Sequence, residues 1–181
     1  MTDPLADLAT DSALAAEAAA ARAEWRAEEE EWTRAEAERW RHQRTLAGLA
    51  REYLHRGDTV EVIAPGAVFR GLLTRVGADW LQLETEAGVV DVSLADGVAL
   101  RRVVRARTGG RRDDGSVATF RARLLELEGE AEPVIVGVPA LDEALSGQLF
   151  VGADHVIVTS DEIETAVPEV SWVRRAPAGW R

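Results

Sequence analysis

Six arginines fall within twelve positions of this chain: Arg101, Arg102, Arg105, Arg107, Arg111 and Arg112. Guanidinium groups at that density can neutralise phosphates, because each presents a planar fork of donors and displaces a condensed counterion. The cluster is therefore the candidate nucleic-acid contact. Two features weigh against that use. No aromatic side chain is interleaved to stack bases, as single-strand binders require. The chain is also acidic, with 32 Asp and Glu against 21 basic residues and a formal net charge of −11. The competing reading is a solvated junction whose arginines pair with the protein's own carboxylates, since Gly109-Gly110 and Asp113-Asp114-Gly115 mark flexible chain beside them. Lysine is absent, which fits high-GC coding better than selection for bidentate contacts.

No other constellation carries chemistry. The three histidines, His42, His55 and His155, stand apart and lack zinc-ligand spacing. Cysteine is absent, which excludes disulfides and thiolate metal sites. No Gly-x-Gly-x-x-Gly, Gly-x-Ser-x-Gly or His-Glu-x-x-His occurs, and a phosphate loop of the Gly-Lys type cannot exist without lysine. Asp79 and Asp154 sit in Gly-Ala-Asp turns, where Asp bonds nearby backbone N–H groups. The expectation is a protein that is not an enzyme and has no catalytic residue, metal or cofactor.

Three tryptophans, Trp25, Trp32 and Trp40, lie in a segment rich in Ala, Glu and Arg, the strongest helix formers. Asp3-Pro4 supplies a helix start, as N-cap and first helical residue. Steps of three and four from residue 14 to residue 53 trace an apolar seam with polar interruptions at Glu28, Arg39 and His42. The seven-residue step from Trp25 to Trp32 puts two of the rings on one face, and the eight-residue step to Trp40 shifts the stripe. The rings form a candidate helix interface, either folded back on the rest of the chain or paired with a second copy as a coiled coil.

The segments that would position these residues repeat. Residues 76–85, Val-Gly-Ala-Asp-Trp-Leu-Gln-Leu-Glu-Thr, recur as residues 151–160, Val-Gly-Ala-Asp-His-Val-Ile-Val-Thr-Ser. Residues 45–60 can be laid on 119–134 without a gap, and Leu100-Arg101-Arg102 on Val173-Arg174-Arg175. Self-similarity of this kind predicts one supersecondary unit built twice. Each copy reads as a short helix and then five short strands. In the first copy these are residues 59–64, 68–76, 80–85, 89–94 and 98–104; in the second they are 134–138, 145–151, 154–159, 163–167 and 170–174. Gly71 and Gly147 fall inside the second strand of their copies, where a glycine marks a sharp bend.

The leading helix, the bent strand through Phe69-Arg70-Gly71, and Val76-Gly77-Ala78-Asp79 before an alternating strand resemble the Sm-like small β-barrel of the LSm/Hfq type. The likeness covers residues 45–105 and, more loosely, 119–175; SH3-type barrels share much of the pattern. The whole layout is similar to helix-plus-two-barrel proteins of high-GC bacteria. The resemblance implies an α+β fold: a long N-terminal helix over residues 1–44, a first five-stranded Sm-like barrel over 45–107, an Arg/Gly/Asp linker over 108–118 and a second barrel over 119–181. It carries no RNA-binding residues onto this chain, because the Tyr-Lys-His element of the family has no counterpart here. No window is apolar enough to span a membrane, and the N-terminus lacks a secretory signal pattern, so a cytoplasmic location is expected. The expected function is protein interaction or scaffolding, with a protein partner or a second copy of the chain bound through the N-terminal helix. The alternative is a nucleic-acid-associated regulator that uses the arginine cluster.

Overall fold

A computed structural model describes residues 4–95, 97–107, 109–110 and 118–177. Arg111 and Arg112, with most of the linker, lie outside the described residues. The chain divides into two units at Arg44–Thr45.

The first unit is a single 40-residue helix, α1 (Pro4–Gln43). Its density of Ala, Glu and Arg, with no glycine and no proline after Pro4, accounts for its length. From residue 17 onward almost every side chain on it is exposed. Among the described residues, no helix is long and apolar enough to cross a membrane.

The second unit opens with α2 (Leu46–Arg56), followed by β1 (Thr59–Ala64), β2 (Ala67–Val76), β3 (Trp80–Thr85), β4 (Gly88–Ser93) and β5 (Ala99–Val104). After the linker come α3 (Phe120–Glu130), β6 (Val134–Gly137), β7 (Leu145–Val151), β8 (Val156–Ser160), β9 (Ile163–Val167) and β10 (Trp172–Arg175). Thr45 caps α2 by accepting from the Gly48 N–H at 3.0 Å, and Thr119 caps α3 by accepting from the Ala122 N–H at 3.2 Å. Gly57 ends α2 in the left-handed region at φ 74°, whereas α3 ends there on Ala131 at φ 54°.

The strands do not close into two barrels, which corrects the architecture expected from the sequence. They form one open antiparallel sheet of ten strands in the order β5-β1-β2-β3-β4-β10-β6-β7-β8-β9. The free edge of β4 is taken by β10, with Trp172 opposite Val92 and Val173 opposite Asp91. The two five-strand groups are thereby joined edge to edge, and β5 and β9 end the sheet.

Burial gives the physical reason. In a small barrel a strand buries one face, whereas Trp80, Leu81, Gln82 and Leu83 on β3 are all buried, as are Val90, Asp91, Val92 and Ser93 on β4. Both faces of these strands are covered, so their sequences read as near-continuous apolar runs. Leu81, Leu83, Val90 and Val92 join the core under α2, while Trp80 joins the core under α3. In exchange, Ile135 and Trp172 of the second group lie in the α2 core, where Trp172 meets Phe69 edge-on with ring centroids 5.2 Å apart. Each group thus contributes side chains to the other's core.

The bends are forced by glycine. A Cβ on Gly71 would stand 2.1 Å from the backbone oxygen of Glu84, so only glycine lets β2 and β3 approach this closely.

Candidate interaction surfaces

The arginine cluster begins on β5, which pairs with β1. Arg101 lies opposite Glu61 on the neighbouring strand and donates to its carboxylate. Arg102 turns the other way, toward α2. Its Nη1 is 3.9 Å from Oδ2 of Asp58 and its guanidinium lies 5.8 Å from the Tyr53 ring centroid. Asp58 is fully buried, accepts from the Ala106 N–H at 2.8 Å, and has the Arg56 Nε 3.7 Å away. Arg105 and Arg107 follow the end of β5 and are exposed. The structure therefore brings Arg101 and Arg102 together on one strand but aims their charges at carboxylates of the same chain, the pairing weighed against phosphate contact in the sequence.

The tryptophans are placed differently. Trp25, Trp32 and Trp40 are 75%, 61% and 58% exposed on α1. The Arg44 guanidinium stacks 4.6 Å from the Trp40 ring centroid, a cation–π contact within the helix unit. An exposed Trp keeps a large apolar surface in water, and three on one helix form an uncovered apolar stripe.

Sequence reasoning missed the polar cluster at the joint of the two groups. Thr74, at the bulge of β2, donates to Oε1 of Gln82 at 2.9 Å. Gln82 in turn donates to Oδ1 of Asp91 at 2.7 Å. On the other oxygen of Asp91, Arg123 of α3 donates from Nε at 2.9 Å, and its Nη1 donates to Glu126 at 2.8 Å. Burial pushes the Asp91 carboxyl above the usual carboxylate range, against the pull of Arg123 and Gln82. This cluster has the composition of a hydrogen-bonded tie between strands and helix. The signal that could have revealed it is a carboxylate set within Val89-Val90-Asp91-Val92, where apolar neighbours on both sides require a buried partner.

The aspartates of the two Gly-Ala-Asp turns bond differently. Asp79 accepts from the Phe120 N–H at 2.7 Å, so the turn of the first group helps to cap the helix of the second. Asp154, its counterpart in the sequence, bonds Nδ1 of its neighbour His155 at 2.8 Å, and that bond holds the Asp154 carboxyl below its ordinary range. His42 lies on α1 and His55 on α2. Among the described residues, no group of three His, Cys, Asp or Glu could hold a metal ion. A groove of 660 Å³ along β2 has Val68, Phe69, Arg70, Leu72, Glu84 and Glu86 among its lining residues.

Comparison with protein-family models, with curated proteins and with solved structures finds no match. The likeness to Sm-like barrels thus rests on the residue pattern alone.

Proposed function

We propose that this chain is a protein-interaction scaffold in which α1 binds a protein helix, a second copy of α1 being the partner that its spacing fits. The observation that carries this reading is the exposure of Trp25, Trp32 and Trp40 on a helix of 40 residues. Their stripe offers the apolar anchors that helix-in-groove and helix-pair contacts use. Glu28–Glu31 and the neighbouring arginines flank the stripe and would set register across a pair, as Arg34 and Glu30 already do within one helix at 3.8 Å.

The nucleic-acid reading loses weight because Arg101 and Arg102 are engaged by Glu61 and Asp58. A phosphate would have to displace those carboxylates from a chain that is already strongly anionic.

The test is sedimentation equilibrium of the full chain beside the triple variant Trp25→Ala, Trp32→Ala, Trp40→Ala. Alanine is the better helix former, so the variant keeps α1. Scaffolding through α1 predicts concentration-dependent association that weakens in the variant. An unchanged mass distribution would remove α1 as the contact.

A further inference from the structure

The joint between β4 and β10 is a template for a contact that the chain leaves unmade. Each five-strand group has the same order of pairing, β5-β1-β2-β3-β4 in the first and β10-β6-β7-β8-β9 in the second. In that order β9 corresponds to β4, and β5 corresponds to β10. The sheet therefore ends on the same two kinds of edge that meet at its centre. We propose that a second copy of this chain docks its β5 edge onto the β9 edge of the first, head to tail, in the register of the β4–β10 joint.

The register follows from the pairings within each group. Val92 lies opposite Leu81 as Val167 lies opposite Val156, and Leu100 lies opposite Val62 as Val173 lies opposite Val136. Carrying Trp172↔Val92 and Val173↔Asp91 over to the free edges sets Ala99 against Val167 and Leu100 against Ala166. Extending that register past the three pairs of the joint sets Arg102 against Glu164 and Val103, at the bulge of β5, against Ile163.

The chemistry of the two edges matches in that register. Val103 and Ile163 are exposed apolar residues, 37% and 67% accessible, and each would cover the other. Asp161, Glu162 and Glu164 make the β9 edge acidic; on β5 Arg101 is already paired with Glu61, while Arg102, whose Nη1 stands 3.9 Å from Asp58, would take Glu164 as a second carboxylate, with Arg105 exposed just past the strand. A β5–β5 or β9–β9 pairing would set like charges together, so the charges select head-to-tail order. At the existing joint Asp91 of β4 takes Arg123, which stands four residues past the cap of α3. At the free edges the corresponding pair is Ala166 with Leu49, four residues past the cap of α2, so an apolar contact stands in for the ion pair. An edge strand also presents unpaired N–H and C=O groups that a second strand satisfies. A contact of this kind is heterologous, and its repetition builds a ring or a filament rather than a closed dimer.

The absence of cysteine makes the test direct. Full-length Val103→Cys and Ile163→Cys chains are mixed under mild oxidation and resolved without reductant. Directly opposed residues bring their Cβ atoms to about 5 Å, close to disulfide reach. The proposal predicts a disulfide joining one chain of each kind, its loss on adding Glu164→Arg, and its survival in the triple tryptophan variant. A mixture that stays monomeric, or in which each variant bonds equally to itself, overturns it. So does a yield untouched by Glu164→Arg, or one abolished by the tryptophan substitutions, which would assign association to α1 alone.

Discussion

At the scale of single residues the most exacting position is Asp91. Its carboxylate is the counter-charge to the buried Arg123 and the acceptor for Gln82. Asp91→Ala leaves a buried guanidinium short of a partner and is expected to cost about 3 kcal/mol in urea unfolding. The titration of Asp91 also has a definite sign. Its folded-state pKa is raised, so the folded chain holds this proton more tightly than the unfolded one. That contribution is fully present below the ordinary Asp value, about 3.9, and is lost as pH rises through the raised value. The stability of the wild type relative to Asp91→Asn is therefore expected to grow as pH is lowered from neutrality, read from denaturation series at several pH values. A difference that shrinks on acidification would mean that Asp91 is held as an anion more strongly than its burial implies. Two backbone positions give opposite expectations. Gly71→Ala puts a Cβ against the Glu84 carbonyl and should lower stability by about 2–3 kcal/mol. Ala131→Gly relieves a left-handed alanine and should raise the melting temperature, by about 0.5–1 kcal/mol of added stability.

At the scale of elements, the positions of the strands were legible and their closure was not. Alternation and turn residues placed β1 at Thr59–Ala64 and β7 at Leu145–Val151, where the structure has them. Strand alternation says which face of a strand is apolar, but it does not say which edge meets which. The edges of β4, β5, β9 and β10 present similar backbone, and the choice of β10 as the neighbour of β4 comes from side chains far apart in the sequence, Asp91 with Arg123 and Phe69 with Trp172. The clue lay in β3, where Trp80-Leu81-Gln82-Leu83 is apolar on both faces, a pattern that suits a strand covered on both sides rather than one in a barrel wall. Of the candidate site residues, the arginines and tryptophans were found by composition, whereas the Thr74–Gln82–Asp91–Arg123 cluster is made by folding alone. A bond at the start of α3 also connects the two groups. Thr119→Ala removes the side-chain acceptor at the start of α3 and is expected to cost about 1 kcal/mol. Asp79→Ala should act on the same helix, because the Phe120 N–H loses its acceptor. Both are read by thermal unfolding, and a stability unchanged in Asp79→Ala would show that this capping bond contributes nothing.

At the scale of the whole molecule, charge is largely paired within the chain while apolar surface stays exposed. The carboxylates outnumber the basic groups, and the described arginines of β5 are turned toward them. The exposed apolar side chains include the three tryptophans of α1 and Val103 and Ile163 on the end strands of the sheet, with Val68, Leu72, Leu125, Leu141 and Phe150 elsewhere on the body. The measurement that tests this division most directly is fluorescence anisotropy of the full chain against labelled single-stranded RNA and duplex DNA, at low and at physiological salt. No binding is expected at either salt concentration. Micromolar binding that weakens steeply with added salt would contradict it and return the arginine cluster to the role of a phosphate-binding surface.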